Sequence, residues 1–180
     1  VKRNFEYIVD LADVPVSSDH SALDGFIDKI MRREVKNADA VTACSRGLVE
    51  YVRSAYGVQA HFLPNGTELE VFRKLREKDG SDIRRRYGLE GKWIIGYAGY
   101  MGPWVDVDFL VDVFGEVKKS VPNAALLLVG GSPFLSEYRK KFSGRDIVFT
   151  GALDSDVEII EEYFLCFDVG VIPHPKTEFQ

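Results

Sequence analysis

The stretch WIIGYAGYMGPWVDVDFLVDVFGEVKKSVPNAALLLVGG, residues 93–131, decides the fold. It opens on an apolar run, Trp93–Ala98, and turns through Gly99 and Gly102. It then takes up helical spacing and returns as Ala124–Val129, apolar at every position. A run without polar alternation suits a strand covered on both faces, as parallel sheets require. Strand, glycine turn, helix and strand make a βαβ unit. The spacing predicts a helix over Asp106–Lys119 with Phe109, Leu110, Val113, Phe114 and Val117 turned inward.

The same alternation extends both ways. Downstream, Phe134–Phe142 and Asp156–Phe167 read as helices, and Ile147–Phe149 and Val169–Ile172 as strands. Upstream, Tyr7–Val9, Ala40–Ala43 and Ala60–Leu63 read as strands. Leu23, Phe26, Ile27, Ile30, Met31 and Val35 mark one helix there, with Ser21 and Asp24 as a capping box. A second begins at a Ser45 cap and stops at Gly57. Between the two runs lies TELEVFRKLREKDG, residues 67–80, charged and with little apolar pattern. Boundaries fall in such segments. The expected class is therefore α/β, with Rossmann-like parallel sheets flanked by helices. Residues 1–66 belong to one domain, 67–80 to a linker and 81–180 to a second domain.

Composition narrows the function. Hydrophobic residues are 46% and charged residues 28% of the 180, which is globular rather than disordered. The net charge of −5 leaves no basic footprint for nucleic acid. The two cysteines, Cys44 and Cys166, sit in apolar surroundings without Cys-x-x-Cys spacing, so they read as buried thiols in a reducing compartment. The longest uncharged stretch, Ser120–Ser136, is broken by Pro122, Gly130, Gly131 and Pro133, and a spanning helix needs about 20 mainly apolar residues. The N-terminus has neither an apolar signal core nor an initiating Met, and the last residues directly follow a strand. The sequence reads as a piece of a longer protein.

Several chemistries lose support at the motifs. A nicotinamide dinucleotide site wants an acid after the second strand, where Val129-Gly130-Gly131-Ser132 has none. There is no phosphate-loop consensus and no nucleophile elbow. His20, His61 and His174 lack ligand spacing, so no metal site is expected. Asp106 and Asp108 fall in a first helical turn, where acids complement the helix dipole. Arg84-Arg85-Arg86 reads as a solvated face. The surviving candidate is the glycine-rich turn at Gly96–Gly102, whose amides can approach a phosphate at a helix N-terminus. His174 is a second, since it follows a strand's carboxyl end.

In order along the chain, ADAVTACS, HFLPNG, GYAG, LLLVGG, FTGAL and FDVGVIP resemble family-four glycosyltransferases of the GT-B fold. The resemblance covers nearly the whole chain, from about Tyr7 to Gln180. It implies two Rossmann-like domains, truncated here, and retaining transfer of a sugar from a nucleotide-sugar donor without metal or other cofactor. It also implies an unknown sugar or lipid-linked acceptor. The location implied is cytoplasmic, with peripheral association at the inner face of the membrane as an option. Donor-binding residues by this resemblance are Gly99, Tyr100, Gly102, Gly130, Gly131, Ser132, Thr150, Gly151, Leu153, His174 and Glu178.

Departures from the family pattern are specific. Where many members carry an Arg and a Lys against the donor diphosphate, this chain has Tyr100 and Val105. Where many place a His after the first strand, it has Ala12, and the flanking acids Asp10 and Asp13 become the catalytic candidates. Glu178 stands one residue late for the first of two family glutamates, and the second falls beyond Gln180. The 180-residue chain alone is therefore expected to be inactive. Two alternatives keep the same shape: a nucleotide-sugar epimerase, which needs no acceptor, and a non-catalytic binding module.

Overall fold

The computed structural model describes residues 6–13, 22–66, 69–70, 73, 79–154 and 162–173. The chain divides into two compact units, with the division between Thr67 and Glu68.

The first unit holds β1 (Ile8–Leu11), α1 (Ala22–Asn37), β2 (Ala40–Ala43), α2 (Arg46–Tyr56) and β3 (His61–Phe62). The strands lie in the order β1-β2-β3, all parallel. Helix α2 starts where the Ser45 hydroxyl accepts the Leu48 N–H (3.1 Å). It stops where Gly57, at φ 70°, turns left-handed and donates to Arg53 O. Leu48, Val52 and Tyr56 from α2 meet Leu11, Val41 and Ala43 from the sheet and Val35 from α1. The apolar stripe of α1 is wider than its contact, because Phe26 and Ile30 remain exposed while Val35 is buried. The Ser21 cap lies outside the described residues. The first strand runs further than the sequence indicates. It includes Asp10, paired in register with Thr42, and ends on buried Leu11.

The second unit holds α3 (Ser81–Arg86), β4 (Trp93–Ala98), α4 (Val107–Ser120) and β5 (Ala124–Val129). It continues through α5 (Leu135–Lys141), β6 (Ile147–Phe149), a 3-10 turn at Phe164–Cys166 and β7 (Val169–Gly170). The sheet order is β6-β5-β4-β7 with every pair parallel. All six residues of β5 are buried. Leu126 and Leu128 pack with Leu110, Val111 and Phe114 of α4. Ala125, Leu127 and Val129 face Ile83, Leu89, Tyr163 and Cys166 on the other side. This is the doubly covered sheet that the apolar run requires.

Helix α4 is rotated from the face its spacing predicts. Val107, Leu110, Val111 and Phe114 are buried, whereas Phe109 and Val113 are exposed. Packing on β5 sets this phase, since Leu110, Val111 and Phe114 gather with Leu126 and Leu128. The Asp106 carboxylate caps the helix by accepting the Phe109 N–H (2.9 Å), so that the helix begins at Val107. The Arg84–Arg86 run is likewise not wholly solvated. The Arg84 guanidinium donates to Lys92 O, to Cys166 O and to Asp168, and the same carboxylate accepts the Ile94 N–H (2.7 Å). Arg84 thereby fastens α3 to the sheet. Of the two thiols, Cys166 is buried and Cys44 is half-buried. Among the described residues no helix is long and apolar enough to cross a membrane.

Candidate functional site

Three loops leave the carboxyl ends of the adjacent parallel strands β4, β5 and β6, and the structure joins them. Gly99 N–H donates to Val129 O (2.9 Å) and Met101 N–H to Gly131 O (2.8 Å), carrying the β4–β5 ladder past the strands. The Ser132 hydroxyl donates to Met101 O (2.8 Å) and accepts the Phe134 N–H (3.1 Å). The Thr150 hydroxyl accepts the Gly130 N–H (3.1 Å) and donates to Gly151 O (2.8 Å). Gly130 and Gly151 form an isolated antiparallel bridge. Gly99, Gly130, Gly131, Ser132, Thr150 and Gly151 thus lie together at one edge. Leu153 follows them, half-buried against the core on the α3 side of the sheet. His174 and Glu178 lie outside the described residues. Pro173, just before His174, accepts the Asp106 N–H (2.9 Å) and brings the chain to the start of α4.

Packing accounts for much of this glycine pattern. A Cβ on Gly130 would lie 2.1 Å from Gly99 O, and φ there is 127°. At Gly96 a Cβ would lie 2.1 Å from the Phe167 ring, and at Gly99 2.7 Å from the Tyr97 hydroxyl. Gly102 is covered by the Trp104 indole, which would meet a Cβ at 2.7 Å. These glycines permit close approach of the protein to itself. The hydroxyls of Ser132 and Thr150 are similarly spent on holding the loops.

What the edge presents outward is aromatic. Met101 and Val105 anchor the loop in the core, and Tyr100, just before Met101, and Trp104, just before Val105, are each 53% exposed. Their ring centroids are 5.9 Å apart at an interplanar angle of 36°. Below them the buried Tyr97 donates its hydroxyl to Tyr100 O (3.2 Å), and burial pushes that phenol's pKa up. Trp104 escaped notice in the sequence because a single Trp in a turn has no periodic signature. Arg139 escaped it too. From α5 it donates to Phe149 O (2.9 Å) and Thr150 O (3.1 Å), setting a cation beside Gly151. Asp106 is the helix cap and Asp108 pairs with Lys141, so neither is aimed as a metal ligand. Among the described residues no group of three or more His, Cys, Asp or Glu gathers to hold a metal ion.

In the first unit, the Asp10 carboxylate accepts the Thr42 hydroxyl from the neighbouring strand. Ala12 O accepts the Cys44 thiol at 3.2 Å (Sγ to O). Asp13 follows directly. The two candidate acids therefore differ: Asp10 lies on the strand, engaged with Thr42, and Asp13 lies in the turn beyond it.

No protein-family model matches the chain. GDP-mannose-dependent alpha-(1-6)-phosphatidylinositol monomannoside mannosyltransferases are similar to it in sequence. The one from Mycolicibacterium smegmatis is 29% identical over 133 residues, 70% of this chain and 34% of that protein. The one from Mycobacterium tuberculosis H37Rv is 29% identical over 133 residues, 71% of this chain and 34% of that protein. Among solved structures, Anabaena HepE in complex with UDP and glucose superposes with a TM-score of 0.72 at 16% identity, covering 95% of this chain and 47% of that one. The catalytic domain of starch synthase IV from Arabidopsis thaliana, bound to ADP and acarbose, gives 0.59 at 12%, covering 80% and 36%. The match thus spans about a third of the mannosyltransferases' length. The order of strands, the joined loops and these likenesses agree: the chain has the GT-B glycosyltransferase fold and resembles the family-four mannosyltransferases.

Proposed function

We propose that this protein is a glycosyltransferase that takes a hexose from a nucleotide-sugar donor and passes it, with retention, to a sugar or lipid-linked acceptor. The observation that carries this reading is the convergence of the loops at 99–102, 130–132 and 150–153 on the carboxyl ends of adjacent parallel strands. Open α/β sheets bind their ligands there. The sequence similarity to GDP-mannose-dependent enzymes supports it.

In this reading the donor lies along Gly99–Gly102, Gly130–Ser132 and Thr150–Leu153, with His174 and Glu178 completing that side. The departing diphosphate is stabilised by preorganised donors and needs no metal. Asp10 and Asp13 serve the acceptor side, with Asp10 oriented by the Thr42 hydroxyl. A lipid-linked acceptor would bring the cytoplasmic protein to the inner face of the membrane.

One observation favours a second reading, a module that binds without turnover. Tyr100 is uncharged and Val105 is a core residue at 4% exposure, so neither supplies the cation many family members hold against the diphosphate. The test uses the full-length protein with UDP-glucose and GDP-mannose, with and without EDTA, following nucleoside diphosphate release and glycosylated product. Release that rises with an acceptor extract and is unaffected by EDTA is expected. Binding without release identifies the module, an isomerised sugar nucleotide identifies an epimerase, and no binding overturns the reading.

A further inference from the structure

We infer that Tyr100 and Trp104 form a platform for the hexopyranose ring of the nucleotide sugar. The inference rests on the function proposed above and deepens it. The loop carrying the pair is anchored from below by Met101 (0% exposed) and Val105 (4%), so its two rings are held rather than free to collapse inward. The indole lies over Gly102, and the Tyr100 ring runs past Gly131, whose added Cβ would stand 3.8 Å from its Cδ2. Glycine at 102 leaves room for the indole at the carboxyl edge of the sheet, and Gly131 lies at ordinary contact distance from the Tyr100 ring.

Each ring also keeps an unused polar tip. Among the described residues neither the Tyr100 hydroxyl nor the Trp104 indole N–H has a hydrogen-bond partner; the bond at Tyr100 goes to its backbone carbonyl. An aromatic face with a free O–H or N–H at its rim suits a ligand that is apolar on one side and hydroxylated around its edge. A hexopyranose has that form, with axial C–H groups on one face and hydroxyls at the rim. A diphosphate does not. It wants cations or converging amides, and this loop offers two exposed rings, Tyr100 and Trp104, and no basic side chain. The pair therefore takes the sugar end of the donor, and the nucleotide end lies along the loops at 130–132 and 150–153.

The test is calorimetry on the full-length protein with UDP-glucose and GDP-mannose, each set against UDP and GDP. Trp104→Ala is expected to weaken binding of the accepted sugar nucleotide about tenfold, with the matching nucleoside diphosphate changed by less than about twofold. Trp104→Phe, which keeps a ring, should recover most of the loss. Tyr100→Ala should behave as Trp104→Ala does. Hexose C–H proton signals should move upfield on wild type and not on Trp104→Ala. Equal losses for sugar nucleotide and nucleoside diphosphate would place the base or phosphate on the rings and overturn the inference. So would wild-type affinity for both ligands in the two alanine variants, with the proposed function left standing. A wild type that binds no sugar nucleotide would defeat the proposed function itself, and the platform with it.

Discussion

At Gly130 a single methyl group would sit 2.1 Å from the carbonyl oxygen of Gly99, with a backbone φ of 127° that L-residues avoid. The neighbouring glycine is different. At Gly131 a Cβ would stand 3.4 Å from Ala152 Cβ, an ordinary contact, and no left-handed φ is involved. Gly130→Ala should therefore cost at least about 1–3 kcal/mol, while Gly131→Ala should stay within about 0.5 kcal/mol. Urea midpoints of the two variants check this, and equal midpoints would remove the close approach from the account. The same geometry makes Gly99→Val a poor probe of ligand binding, since its Cβ would press on the Tyr97 hydroxyl at 2.7 Å. Residue-scale chemistry also sets an alkaline limit. Burial raises the Cys166 thiol from 9.0 to about 11. The folded state therefore favours the protonated thiol, and the stability this supplies is present below pH 9 and lost as pH rises towards 11. Burial raises the phenols of Tyr56 and Tyr163 as well, with the same sign at higher pH. The urea midpoint should fall steadily above pH 9, and a midpoint that rose there would contradict the burial argument.

Helix α4 shows what the sequence tells about an element and what it withholds. Its existence and the strands on either side of it are legible, because Ala124–Val129 is apolar at every position and demands cover on both faces. Its phase is not. Phe109, Leu110, Val113, Phe114 and Val117 form a plausible stripe, and so do Val107, Leu110, Val111, Phe114 and Val117. Apolar residues occupy seven of the positions from Val107 to Val117, so periodicity alone cannot choose. Tertiary packing chooses, because Leu110, Val111 and Phe114 fit against Leu126 and Leu128 of β5, while the Asp106 cap fixes only which residue begins the helix. Phe114→Ala should then cost about 3–5 kcal/mol, as for a buried aromatic, whereas Phe109→Ala, on the exposed side, should fall within about 0.5 kcal/mol. Thermal or urea denaturation of both variants decides it, and a Phe109 cost as large as that of Phe114 would restore the other stripe. The candidate site was legible to the same degree. That the loops share one edge follows from parallel strands, which the βαβ pattern supplies, whereas the strand order that makes them neighbours is seen only in the fold. What each residue does there depends on contacts at long sequence separation, such as Gly130 to Gly99, Ser132 to Met101 and Arg139 to Thr150. No local pattern carries these.

At the scale of the whole molecule, stability is distributed over two cores whose members do not overlap in sequence. One is built on Val41, Val52 and Tyr56, and the other on the two faces of β5. The chain passes from one to the other at Thr67 and Glu68, at the head of the charged segment TELEVFRKLREKDG. We expect residues 67–80 to be a linker, and trypsin gives a direct test, because Arg73, Lys74, Arg76 and Lys78 all fall within it. The next arginine, Arg84, has its guanidinium spread over Lys92 O, Cys166 O and Asp168, and its side chain is only 22% exposed. Cleavage after Arg84 needs α3 to detach from the sheet, which breaks those bonds together and uncovers Ile83. Proteolysis of a folded chain follows the free energy of such local openings. Brief digestion should therefore cut first between Arg73 and Lys78 and leave two resistant fragments, the second beginning near Asp79. Mass spectrometry of the early products reads the result. First cuts inside Trp93–Val129, with 67–80 intact, would mean that the charged segment is held by the fold and that the two cores do not open independently.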